Sequence, residues 1–427
     1  MRARRAAALA LVVAGCGART PVDVDGAGTG GAPGGGGPSS SSWGPSAPTS
    51  SGAGGGDPFD CPALAWAGDP VSVTFGGAAL SPRLVRTGAA EWAVVFESND
   101  AGGSLVASFA VSDAFGAWPP TIGAVDAHLP VSQRFAATQG DPGQIAFAVT
   151  GFAGSTVLAQ SPPGANGCTL VDWPGPVGPL GFAARSPAGS YLLGRYAPIA
   201  GGTAIALDLV SGFEPDPTVI DLGMLACSVD RIPADVAAAP GGGWLVASAS
   251  QAPFGACDAA SGAPRYMQVH RVDGAVATQA FASDDLGPIA EVILASRPNG
   301  AWLGIHAAGE NQFSVYPVTA DGVIDFAQLW ALVGEHTETA RHALVSTTDT
   351  WAAAALIPNE SIPGGSLTVH AVSALTTVSV PHDGAVVPSG VPSMVMSDEA
   401  DSFLVVYEDA SGVLPAIGLR RADCVVR

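Results

Sequence analysis

After residue 60 the apolar positions come in short runs broken by Gly, Pro and polar residues, and one arrangement of run and break recurs. An apolar run, a polar or Gly/Pro turn, an aromatic residue and a second apolar run appear seven times. The copies are RLVRTGAAEWAVVFES (83–98), RFAATQGDPGQIAFAVT (134–150), GFAARSPAGSYLLGRYA (181–197), DVAAAPGGGWLVASAS (235–250), VILASRPNGAWLGIHAA (292–308), HALVSTTDTWAAAALIP (342–358) and SMVMSDEADSFLVVYED (393–409). The aromatic place is held by Trp92, Tyr191, Trp244, Trp302, Trp351 and Phe403, and by Gln144 in the second copy. Successive copies are 47 to 58 residues apart. Short apolar runs bounded by turn residues predict strands, and each copy predicts a β-hairpin.

A hairpin with one apolar face is not stable alone, so each copy must stack on its neighbours. Strands of five to seven residues fit about four times into a period near fifty, and four-stranded sheets repeated radially make a β-propeller. The expectation is all-β: a seven-bladed β-propeller over residues 61–427. The resemblance is to the architecture and to no named propeller family, since neither the Gly-His…Trp-Asp of WD40 nor a kelch pattern occurs. Tandem sandwiches would not keep one period over seven copies. Membrane barrels need strands of about nine to eleven residues with a lipid face. The run Val71 to Phe75 precedes the first copy, while residues 411–424 supply a third strand to the seventh. Val71 to Phe75 is therefore expected to complete the seventh blade. The recurrent aromatic is expected to pack between sheets, because core use explains every copy at once.

The first 60 residues have another pattern. Three arginines within Met1–Arg5 precede an apolar run from Ala6 to Val13, the layout of an export signal. About ten apolar residues are too few to span a bilayer core. The run closes on Val13-Ala14-Gly15-Cys16, which resembles the bacterial lipobox. That resemblance implies removal of residues 1–15, lipidation of Cys16 by several acyl chains, and stable membrane anchoring. Gly17, where an aspartate would favour the inner membrane, implies the outer membrane. Residues 16–60 read as a lipidated start and a disordered linker. From Gly26 to Asp57 there are 13 Gly, 7 Ser and 4 Pro, too little apolar surface to offset ordering entropy. The whole stretch 17–60, about 44 residues, would span roughly 35 to 40 Å as a flexible chain. Asp23-Val24-Asp25-Gly26 lacks the third acidic position and closing glutamate of a calcium loop, and reads as linker.

Charge narrows the partners. The formal net charge of −20 becomes −23 once the three leading arginines are removed. A body this acidic repels phosphate backbones, which excludes nucleic acid as the expected partner. The chain has no lysine, so P-loop, Schiff-base and S-x-x-K chemistries are absent. In an exported chain disulfides are expected, and with Cys16 lipidated five cysteines remain. Cys61 and Cys424 flank the proposed ring closure and are expected to pair. Cys227 and Cys257 lie in connections that emerge on one face and form a second expected pair, leaving Cys168 unpaired at the opposite face.

Catalytic signatures are missing. Gly-x-Ser-x-Gly does not occur, so the usual nucleophile elbow is absent. SDAFGAW (112–118) has the wrong spacings for a sialidase Asp-box and reads as a turn. Among seven histidines only EHTETARH (335–342) gathers several possible ligands, and without H-E-x-x-H spacing it reads as a polar inter-blade connection. The second-to-third-strand loops carry Glu97, Asp100, Glu310, Glu360, Glu408 and Asp409, from blades consecutive around a closed ring. These carboxylates are the candidate partner-binding face and a candidate Ca²⁺ site. The expected function is an outer-membrane lipoprotein whose propeller binds or scaffolds an envelope protein or glycan. The alternative is a propeller hydrolase acting on envelope or extracellular carbohydrate with separated carboxylates.

Overall fold

The computed structural model describes residues 18–19, 23–25 and 61–425 apart from short segments, the longest being 212–217, 227–231, 252–263, 334–339 and 359–365. The described residues form seven antiparallel sheets in sequence order around a ring. Blade one contains Ala78–Arg86, Glu91–Asp100, Gly103–Ser112 and Asp126–Pro130, hydrogen-bonded in that order. Blades two to six repeat the scheme from Phe135–Gln139, Leu180–Arg185, Ala234–Ala238, Ile289–Arg297 and Arg341–Ser346 as first strands. The first strands of successive blades lie side by side, and that of blade seven, Pro388–Met396, lies beside that of blade one. The architecture is the expected seven-bladed β-propeller.

The ring closes where the sequence places the closure. Val71–Thr74 pairs antiparallel with Ala416–Cys424, the third strand of blade seven, with Val73 opposite Ile417. The chain thus begins its folded part by completing its last blade. Leu64–Trp66 continues along the same strand, with Leu64 opposite Cys424. There Cys61 is bonded to Cys424 across a Cα separation of 5.2 Å, within the reach of an unforced bridge. Cys168 is also disulfide-bonded, which corrects the expectation that it stands alone. Cys227 and Cys257 lie outside the described residues. Within the segment read as linker, Asp23–Asp25 runs antiparallel to Val71–Thr74, and Ala18–Arg19 pairs with Ala127 and Asp126.

The recurrent aromatics are wedges between blades. Trp92, Tyr191, Trp244, Trp302, Trp351 and Phe403 are all buried. Trp92 of blade one packs with Leu404 and Val406 of blade seven. Tyr191 of blade three packs with Ala136, Ala146 and Leu158 of blade two. Trp302 of blade five packs with Leu344 and Ala352 of blade six. Three of the rings carry an arginine from the end of their own first strand: Arg86 over Trp92 at 5.5 Å, Arg185 over Tyr191 at 5.8 Å and Arg297 over Trp302 at 4.5 Å. Each of these arginines also reaches an aspartate in a turn of the adjacent blade, namely Asp398, Asp141 and Asp349. One side chain thereby covers an apolar wedge with its face and ties two blades with its edge.

Candidate functional site

Seven first strands around one axis enclose a channel, and each exposes a sheet edge whose amides need acceptors. Side chains of the neighbouring blade supply several of them. Ser393 Oγ of blade seven accepts from the Leu84 amide of blade one at 3.0 Å. Asp235 Oδ2 of blade four accepts from the Leu294 amide of blade five at 2.8 Å. Glu291 of blade five accepts weakly from the His342 amide of blade six at 3.5 Å. The device is polar by necessity, so the channel wall is polar although the blades behind it are packed with Val, Ala and Leu.

The channel holds a cavity of about 480 Å³ walled by residues of all seven blades. Its ionisable lining residues are Arg83, Asp235, Glu291, Arg341 and His342. Asp235 lines the channel, and desolvation pushes its carboxyl up to about 6. Hydrogen bonds from the Leu294 and Val236 amides and the charge of Arg83 work against that rise, while the charge of Glu291 adds to it. Both Asp235 oxygens accept a backbone amide at 2.8 Å, so the side chain is a strut between blades four and five.

Beside it the wall carries a denser group. Glu291 sits directly opposite His306 across the first two strands of blade five. His342 is the second residue of the first strand of blade six, and its Nδ1 lies 2.6 Å from Glu291 Oε2. The ligand atoms of Glu291, His306 and His342 all lie within 4.8 Å of one another. The His342 ring stacks flat on Phe313, with centroids 4.1 Å apart and planes 8° apart. Phe313 in turn needs the bare backbone of Gly304, where a Cβ would come within 2.2 Å of the ring. Nearby His370 is buried and its imidazole is lowered to about 4, first by desolvation and then by the charge of His342.

The candidate carboxylate face fares differently from this wall. Glu97 lies opposite Leu80 in blade one. Glu408 Oε1 accepts from the Ser81 amide at 2.7 Å, another tie from blade seven to blade one. Asp409 is buried and accepts from the Ser411 amide at 3.0 Å. Adjacent strand residues point to opposite faces, so Glu408 and Asp409 do not converge on one point. The side chain of Asp100, and Glu310 and Glu360, lie outside the described residues, as does Cys16. Among the described residues the group with metal-ligand geometry is Glu291, His306 and His342, none of which was among the six. EHTETARH does end in His342, so the histidine-bearing segment was visible. Its partners were not, because they come from another blade.

No family model and no curated protein matches the chain. Among solved structures it is similar to the WD40 domain of Toxoplasma gondii coronin, with 10% identity, a TM-score of 0.54, and 85% of this chain and 87% of that one covered. It also aligns with a putative 6-phosphogluconolactonase from Bacteroides uniformis, with 11% identity, a TM-score of 0.49, and coverage of 75% and 92%. A protein of unknown function from Dyadobacter fermentans aligns with 12% identity, a TM-score of 0.46, and coverage of 85% and 100%. At such identities the likeness to the coronin domain speaks for the propeller fold alone.

Proposed function

We propose that the chain is an outer-membrane lipoprotein, anchored through Cys16, whose propeller is a binding module for an envelope protein or glycan. The observation that supports a binding role is the channel. Polar side chains from five of the seven blades, Arg83, Asp235, Glu291, Arg341, His342 and Ser393, meet around one cavity. A cavity of about 480 Å³ with a few convergent polar groups has the size and character of a ligand site. The anchor is supported by VAGC after a charged and apolar start. Two experiments test the reading. Expressed in its host with a labelled fatty acid, the wild type takes up label and partitions into detergent; equal labelling of Cys16→Ser sinks the anchor. Crosslinking in intact envelopes captures a partner that Arg341→Glu loses and that a distant exposed change, Val276→Asp, keeps. Equal capture by both variants removes the channel from the interaction.

A second reading, a hydrolase of envelope or extracellular carbohydrate, draws on the two wall carboxylates Asp235 and Glu291. A carboxyl held at about 6 is partly protonated near neutrality and suits a general acid. The engagement of both Asp235 oxygens by amides favours the strut over the acid. Release of reducing sugar from a polysaccharide panel, abolished in Asp235→Asn, would reverse that preference.

A further inference from the structure

We propose that Glu291, His306 and His342 bind one divalent transition-metal ion at the boundary of blades five and six, with an open coordination position toward the channel. The inference stands on this cluster alone and does not depend on the lipid anchor or on the ligand taken at the channel.

Three features carry it. The donor set is one carboxylate and two imidazoles, which suits zinc and its first-row neighbours and not calcium or magnesium, which take oxygen. The donors are already assembled: every pair of ligand atoms is within 4.8 Å. Around a tetrahedral zinc ion, ligands at about 2.0 to 2.2 Å stand roughly 3.3 Å apart, so the Glu291–His342 pair at 2.6 Å must open and the wider separations close, by side-chain shifts on the order of an ångström. The scaffold is rigid. Glu291 and His306 are cross-strand partners in a central hairpin. His342 is clamped flat on Phe313, which rests over Gly304, two positions before His306 in the same strand.

Access comes from one side. Glu291 and His342 line the channel cavity, while His306 is fully buried behind them. Three protein ligands leave a fourth position, and two of them, Glu291 and His342, face the channel cavity. Water or a polar ligand group would complete the shell there. The simpler account is an inter-blade ion pair between Glu291 and His342. That pair explains two side chains. It gives no reason for a second buried imidazole with its centroid 5.1 Å from that of His342.

The test uses the full-length protein in detergent, stripped with a chelator and dialysed against Zn²⁺. The wild type should retain one Zn²⁺ per chain by elemental analysis, and its melting midpoint should climb with Zn²⁺ concentration, since an ion bound only by the native state stabilises it. Glu291→Gln, close in shape to the wild type, and His306→Ala should each weaken binding at least tenfold. His270→Ala, a buried histidine of blade four outside the cluster, should bind as the wild type does. Co²⁺ substituted at the site should give a visible absorption band that Glu291→Gln loses, a readout that folding alone does not produce. Retention of no Zn²⁺ by the wild type overturns the proposal. So does retention of one Zn²⁺ undiminished in both Glu291→Gln and His306→Ala, or a midpoint that responds to Ca²⁺ and not to Zn²⁺.

Discussion

At the scale of single residues, the least expected feature is a buried ion pair inside blade three. Arg195 Nε and Nη2 donate to Asp208 Oδ2 and Oδ1 at 2.6 and 2.5 Å, and the two side chains are 1% and 0% exposed. The fork-to-carboxylate geometry satisfies both charges at once, which is the condition under which burial is tolerated. Removing Asp208 takes the bidentate carboxylate away from a guanidinium in a dry site. Asp208→Asn should therefore lower the unfolding free energy by about 3 to 5 kcal/mol. The double change Arg195→Met with Asp208→Leu should recover most of that, because apolar replacement of a buried pair is often neutral. Urea denaturation of the three proteins checks both statements, and equal losses for the single and double variants would contradict them.

At the scale of elements, the molecule is held by devices that join neighbours. Aromatic wedges fill the spaces between blades, arginines cap the wedges, and channel-side carboxylates and hydroxyls accept the amides of the next blade. The seam differs from the other junctions, since strands from the two ends of the folded region make blade seven. Opening it would free Val71–Thr74 and expose Val73, Ile417 and Leu419, all fully buried. The Cys61–Cys424 bridge closes a loop with a sequence separation of 363, so it removes much freedom from the unfolded chain. Cys61→Ser with Cys424→Ser should cost about 2 to 4 kcal/mol and make the seam the first segment to exchange its amides. Hydrogen exchange read strand by strand checks this. Seam protection unchanged relative to blades three to six would show that the bridge is dispensable there.

At the scale of the whole molecule, stability depends on pH through groups buried in several blades. His128, His270 and His370 are each lowered to about 4, chiefly by burial. Between their ordinary value of 6.5 and about 4 the unfolded chain binds protons that the folded one refuses, so stability is intact above pH 6.5 and falls as pH falls. Asp235 acts in the other direction. Raised from 3.8 to about 6, it holds a proton in the fold that the unfolded chain has released, so over that window it gains stability as pH falls. Three histidines against one aspartate leave a net of about two protons, or about 2.5 kcal/mol lost per pH unit between pH 6 and 4.5. Denaturation midpoints at a series of pH values should show that decline, and His270→Gln should reduce the slope by about one proton. A flat profile from pH 7 to 5 would contradict the account.

The same three scales separate what was legible in the chain from what was not. Local pattern alone was enough for the seven-fold period, the all-β class, the role of the aromatic place as a wedge, the closing strand and the pairing of Cys61 with Cys424. Each of these is a local pattern repeated at a regular interval, or a consequence of where a closed ring must meet itself. Stacking requirements follow from such a pattern because every hairpin faces the same problem of burying one apolar face. Which polar residues meet depends on the packing of blades against one another. Arg195 and Asp208 are thirteen positions apart on neighbouring strands, and nothing in either hairpin marks them as partners. Glu291, His306 and His342 come from two strands of one blade and the first strand of the next. Their meeting depends on the stagger within a hairpin and on the distance between blades, neither of which leaves a spacing motif. The acidic residues expected in loops were conspicuous because charge is easy to see, yet Glu97, Asp100, Glu408 and Asp409 lie at the ends of second strands. Glu408 and Asp409 were nevertheless taken up by backbone amides, because a closed ring of sheets leaves loop and edge donors that the nearest carboxylate satisfies first.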